Sequence, residues 1–318
     1  MIYKEIGHTG VKISILSMGG HEYLPDGKSR GFNENFELAV RPGYIFEGFG
    51  RGRRTEVLSL AYQNGINFFD VTQDSEKEAL GRNLKEFPPP YEIYIQTRPE
   101  GMVYTYDPYN AKMANYALLK AEVQRGLKLL QRDCLEFLNI AFMKSALDHD
   151  PEYLDKIKDN IGRLKKEGLI RFASADTFSG EYTYLKQIEA GCFHTVYINF
   201  NFADDGGKWT VLSRAKERGL AIISREAFMK GELFKMGEEV GLTDRTRLAN
   251  IALKWNLSFE EVTTVVVGTN NPSHLKKNLE VLKDLKLTDE EKDVIEKIKT
   301  SSIYKAYEKK KTEEFFEN

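Results

Sequence analysis

The chain has 318 residues, 41% of them hydrophobic and 30% charged, with Lys+Arg 46 against Asp+Glu 48 and a formal charge of -2. That balance leaves no electrostatic footprint for nucleic acid or an anionic membrane, and no apolar run reaches the roughly 18 residues of a membrane span. Cys134 and Cys192 stand apart in apolar settings without redox or metal-ligand spacing, so small buried residues are expected and no metal site is. The opening Met1-Ile2-Tyr3-Lys4-Glu5 carries no apolar signal core, and the expectation is a cytoplasmic protein.

In chain order, Lys4 to Val11, with Gly7 and Gly10 at its turn, reads as a hairpin. Apolar strand runs follow at Ile13 to Met18, Ile66 to Phe69, Ile93 to Thr97, Leu135 to Ala141, Leu169 to Ala173, Thr195 to Phe200, Leu220 to Ser224 and Thr263 to Val267. Helical patterns separate them. In Ala111 to Leu130, for instance, Tyr116, Leu119, Val123, Leu127 and Leu130 recur at three- and four-residue spacing, which marks one buried face. Strands alternating with helices announce an α/β barrel or a doubly wound sheet, and eight strands select a (β/α)8 TIM barrel. No composition shift, linker or repeat divides the chain, so one domain over 1–318 is expected, with a charged helical tail at about 301–318.

Gly65-Ile66-Asn67-Phe68-Phe69-Asp70 resembles the second-strand motif of the aldo-keto reductases, which delivers an aspartate to a barrel mouth. Further similar segments appear in order: Gly7-His8-Thr9-Gly10-Val11-Lys12-Ile13-Ser14, Glu78-Ala79-Leu80-Gly81, Gly168-Leu169-Ile170-Arg171, Lys230-Gly231-Glu232-Leu233 and Val267-Gly268-Thr269-Asn270-Asn271-Pro272. The resemblance spans nearly the whole chain and implies a TIM barrel with an N-terminal hairpin at its floor, binding NADP(H). It also implies catalysis by an aspartate, tyrosine, lysine and histidine. Asp70 matches the aspartate, the tyrosine has no equivalent, the lysine becomes Arg98 in Gln96-Thr97-Arg98-Pro99, and the histidine falls on Ala141. Arginine cannot shuttle a proton as lysine does, so Asp70 with Arg98 reads either as a catalytic remnant or as an ion pair.

Carried over in the same way, the cofactor contacts fall on Asp176, Thr177, Tyr197 and Arg225 at the nicotinamide end and on Gly268, Thr269, Asn270 and Asn278 at the phosphate end. All nicotinamide contacts have changed type. Between strand one and its helix, where the family has a short loop, this chain inserts an extended mouth loop that ends in Arg51-Gly52-Arg53-Arg54. Glycine beside arginine can fold tightly and present guanidinium forks, so Arg51, Arg53 and Arg54 are candidate ligands for a substrate anion, with a solvated basic turn as the alternative. His21, directly after a strand end, is the candidate proton carrier.

Three readings follow. The first is an aldo-keto-reductase-like oxidoreductase using NADP(H) on a carbonyl or hydroxyl substrate, with Asp70, Arg98 and His21 in a non-standard site. The second is a non-redox isomerase or lyase acting on an anionic substrate. The third is a non-catalytic binder of a dinucleotide or metabolite. The expected partner is a small molecule. The sequence leaves the oligomeric state open.

Overall fold

A computed structural model describes residues 1–24 and 27–317. Two short strands, β1 (Tyr3–Glu5) and β2 (Lys12–Ser14), pair antiparallel with Tyr3 opposite Ser14. Eight further strands close a parallel barrel: β3 (Leu16–Gly19), β4 (Phe68–Asp70), β5 (Tyr94–Thr97), β6 (Leu135–Ala141), β7 (Ile170–Asp176), β8 (Thr195–Asn199), β9 (Ala221–Arg225) and β10 (Val262–Val267). Each strand pairs with its sequence neighbour, and β10 returns to β3 with Val267 opposite Met18. The barrel is the one the sequence predicts. One difference is that the run from Ile13 to Met18 serves two sheets, with Ile15 left between them. The helix expected from Ala111 to Leu130 is also interrupted: Asn115 adopts an extended conformation and caps Tyr116–Leu130, its side chain accepting from the Leu118 amide at 3.2 Å.

Strand side chains alternate between faces, so every second residue points into the barrel. Phe68, Tyr94, Phe137, Tyr197, Ala221 and Ile223 fill the interior with Ile6, Val11 and Ile13 from the hairpin, which plugs the floor. Phe137 joins this layer into one stack, 5.6 Å from Phe68 and 5.1 Å from Phe172 between ring centroids. The opposite faces of the strands pack in a second, larger core against the surrounding helices.

The same alternation continues upward. Two residues beyond Phe68, Tyr94 and Ile223 stand Asp70, Gln96 and Arg225, and the same parity brings Asn139, Asp176 and Tyr197 inward. An aromatic floor therefore carries a polar ceiling at the C-terminal ends of the strands, where TIM barrels form their sites. Helix Asp74–Glu86 packs closely against helix Tyr116–Leu130 through Gly81, where a Cβ would lie 2.3 Å from the Leu129 carbonyl oxygen. The tail forms helix Ser302–Phe316 and docks through buried Tyr304 and Phe315. Among the described residues, no helix is long and apolar enough to cross a membrane.

Candidate functional site at the barrel mouth

Asp70 ends β4 and is buried. Tyr197 Oη donates to its Oδ2 at 2.6 Å and Gln96 Nε2 to its Oδ1 at 2.9 Å. Burial raises its pKa above the usual carboxylate range even though both hydrogen bonds favour the ionised form. Asp70 makes no ion pair with Arg98. Tyr197, which the resemblance puts at the nicotinamide end, is the donor that holds Asp70.

Asp176 ends β7 and is fully buried at the centre of the ceiling. Arg225 grips it with two hydrogen bonds, Nη2 to Oδ1 at 2.8 Å and Nη1 to Oδ2 at 3.0 Å. Asn139 Nδ2 and Tyr104 Oη donate to the same Oδ2 at 3.2 and 3.1 Å. The Arg225 guanidinium lies over two rings, 4.4 Å from Tyr197 and 4.6 Å from Phe178, and its Nε donates to Asn199 at 2.5 Å. Asp70, Arg98, Asp176 and Arg225 thus come together through Tyr197 and Tyr104.

Tyr104 has no strand or helix periodicity to betray it. It sits after β5 at φ 49, a left-handed conformation that a bulky side chain rarely adopts. Its oxygen accepts from Arg98 Nη1 at 2.9 Å while donating to Asp176. Burial, then the nearby Asp176 charge, pushes the phenol well above its ordinary pKa, so it remains protonated.

His21 follows β3. Its Nδ1 lies 2.7 Å from Glu76 Oε1. β4 runs into helix Asp74–Glu86 after only three residues, and the first turn of the helix brings Glu76 to the mouth. The Thr72 amide donates to Glu76 Oε2 at 2.8 Å and Gln73 Nε2 to Oε1 at 3.0 Å. Burial opposes ionisation of Glu76, but His21 and these donors overcome it and hold the carboxyl down at about 2. Burial likewise opposes the imidazolium of His21, and the Glu76 carboxylate outweighs it, so the histidine is lifted above its ordinary pKa. Asp74, two residues earlier, turns away from the mouth to bind Lys77 and Arg125 at 2.7 and 2.8 Å.

The three candidate arginines of the mouth loop separate. Arg51 and Arg53 are exposed, with Arg53 Nη2 3.5 Å from Asn271 Oδ1. Arg54 is buried and spent on backbone, its Nη2 donating to Gly19 O at 2.8 Å and Nη1 to Thr269 O at 3.2 Å. It therefore ties the loop to β3 and to the turn after β10 rather than presenting a free fork.

The dinucleotide implied by the resemblance does not fit the residues as they stand. A Cβ on Gly268 would meet Tyr23 Oη at 2.5 Å, so the space left by that glycine holds the protein's own phenol. Asn270 Nδ2 donates to Tyr23 O at 2.7 Å, locking the two segments together. At helix Pro272–Leu279 the Ser273 amide is taken by Asn271 Oδ1 at 3.1 Å and the Asn271 amide by Thr269 Oγ1 at 3.0 Å. Free N–H groups are what a phosphate would need there. Thr177 and Asn278 are buried beside these two ends. Among the described residues no cluster of side chains has the makings of a metal site.

The model of the aldo/keto reductase family matches residues 232–300, from the helix after β9 through β10 to the last helix but one. The chain is 21% identical over 313 residues to L-galactose dehydrogenase of Arabidopsis thaliana, covering 89% of this chain and 88% of that protein. Its fold is similar to that of the aldo-keto reductase AKR11C1 from Bacillus halodurans, solved in a holo form. The TM-score is 0.69 at 18% identity, with 94% of this chain and 96% of that chain covered.

Proposed function

We propose, from the C-terminal match to the family model, the 21% identical relative and the barrel, that the chain is an oxidoreductase of the aldo-keto reductase superfamily that interconverts a carbonyl and a hydroxyl. Its proton carrier is His21 in place of the missing tyrosine. The observation that carries this reading is the His21–Glu76 pair at 2.7 Å. A buried carboxylate bonded to Nδ1 fixes the imidazole's orientation and stabilises its protonated form, which leaves Nε2 as the atom that gives or takes the substrate proton. With its pKa raised above the ordinary imidazole value, His21 keeps its proton to higher pH, in the form that can donate to a carbonyl oxygen. Asp70 and Arg98 complete the polar surroundings.

NADP(H) is the hydride carrier that the resemblance implies, and seating it requires Tyr23 to leave Gly268. The filled cradle favours a second reading, in which the same histidine performs isomerase- or lyase-type proton transfer without a dinucleotide.

The test is a fluorescence titration with NADPH and NADH, on the wild type and on Tyr23→Ala, followed by turnover assays. The oxidoreductase reading expects measurable dinucleotide binding that tightens in Tyr23→Ala, and turnover that falls about 10²-fold or more in His21→Gln. If neither protein binds either dinucleotide, the redox reading fails and the proton-transfer reading takes its place. Full turnover by His21→Gln removes the histidine from both.

A further inference from the structure

Three carboxylates of the mouth are matched at close range. Asp176 has Arg225, Glu76 has His21, and Asp70 is held by two neutral donors. Arg98 has no carboxylate within ion-pair distance among the described residues. It is 8% exposed, its Nη1 donates to Tyr104, and its Nε is buried without a hydrogen-bond partner. Burial opposes the Arg98 charge and the neighbouring Tyr104, Glu100 and Asp176 outweigh it, the two carboxyl groups from beyond ion-pair distance, so what stays unmatched is the buried N–H edge, which is costly unless a ligand completes it. The unused Nε–Nη2 edge has a defined shape: two parallel N–H groups spaced to meet the two oxygens of a carboxylate.

The walls around this edge are aromatic. The Arg98 guanidinium lies 5.0 Å from the Tyr104 ring and 5.8 Å from Phe32. Phe32 also contacts His21, with ring centroids 5.4 Å apart. Two further rings stand exposed at the rim: Phe178, 4.2 Å from Tyr104, and Phe36, 5.2 Å from Tyr106. Glu100, two residues beyond Arg98, is a weak counter-charge. Its Oε2 lacks a partner, and burial pushes it up to about 7.

We infer that Arg98 is the receptor for a substrate carboxylate, and that the mouth takes an aryl 2-oxo or 2-hydroxy acid. The acid group sits on the Nε–Nη2 edge, the ring lies against Phe178 and Phe36, and the oxygenated carbon is brought toward His21. Phe32, half-buried over Arg98, moves aside as the carboxylate enters. This rests on reading the mouth as the active site. It differs from the anion site that the sequence places on Arg51, Arg53 and Arg54, of which Arg54 is consumed by backbone carbonyls.

The experiment is calorimetric titration of the full chain with phenylpyruvate and with its uncharged methyl ester, on wild type, Arg98→Lys and Arg98→Met. The acid should bind the wild type at least about tenfold more tightly than the ester does, and Arg98→Met should erase that preference. Arg98→Lys, which keeps the charge and loses the planar edge, should fall between them. Arg98→Met should still unfold in one cooperative transition, so that loss of the preference is read on a folded protein. Equal affinity for acid and ester in the wild type, no binding of the acid at millimolar concentration, or an unchanged preference in Arg98→Met would each overturn the assignment. If the acid binds through Arg98 while no reduction occurs with NADPH, the redox reading fails and the carboxylate receptor stands.

Discussion

At the scale of single residues, the mouth is governed by which charge faces which partner. Glu76 lifts the histidine, so Glu76→Gln should lower the His21 pKa toward or below about 6.5, a change read directly from the imidazole resonances in an NMR pH titration. An unchanged titration would mean that the pair does not exist in solution. Glu76 also predicts an acid limb of stability. Its folded pKa of about 2 lies below the ordinary value of 4.5, so its contribution is complete above pH 4.5 and is lost as pH falls toward 2. The loss is at most roughly 3 kcal/mol. Comparing urea midpoints of wild type and Glu76→Gln from pH 6 to pH 2 checks this, since the curves should converge in acid. His21 works in the opposite sense: its contribution is whole below about pH 6.5 and is lost as pH rises through its folded pKa. Asp176→Ala, which strands the Arg225 guanidinium against two rings, should cost about 3–5 kcal/mol in denaturant unfolding.

At the scale of elements, two junctions position the site. The first is the short passage from β4 into helix Asp74–Glu86, which sets Glu76 at the mouth. The register of that helix depends on its approach to helix Tyr116–Leu130 at Gly81. Because a Cβ there would meet backbone at 2.3 Å, Gly81→Ala should destabilise by about 1–3 kcal/mol and displace Glu76. Unfolding curves measure the first effect and the His21 titration reports the second. The other junction is the irregular segment between β5 and helix Tyr116–Leu130. Tyr104, Tyr109 and Asn110 all have positive φ there, and Asn110 holds the bend by donating from Nδ2 to the Met102 and Tyr104 carbonyls. Backbone held in that region stores strain that surrounding contacts must over-determine, and at Tyr104 it aims a phenol at Asp176.

For the molecule as a whole, much of the fold was legible in the chain. Apolar runs separated by amphipathic helices report burial directly, and a closed barrel is the arrangement that buries eight such strands on both faces. The tail was visible as a charged helix, but its docking was not, because Phe315 finds its place on Gly206 only in three dimensions. The site was legible where it depends on strand ends. Asp70, Asp176, Tyr197 and Arg225 could be placed by counting alternate residues, and His21 by following a strand. Their roles could not be placed, since these depend on pairings 49 residues apart for Arg225 with Asp176, 55 for His21 with Glu76 and 127 for Tyr197 with Asp70. The basic run at Arg51 to Arg54 shows the same limit. Local composition says that arginines are present, and only the packed backbone shows that Arg54 is spent on the Gly19 and Thr269 carbonyls while Arg98 keeps an edge unused. The sequence by itself determined the barrel and the ring of residues at its mouth, because periodicity is a local property of the chain. Tertiary structure alone decided which of those residues are satisfied, because a hydrogen bond or ion pair needs two groups within about 3 Å, and closure of the barrel sets that distance.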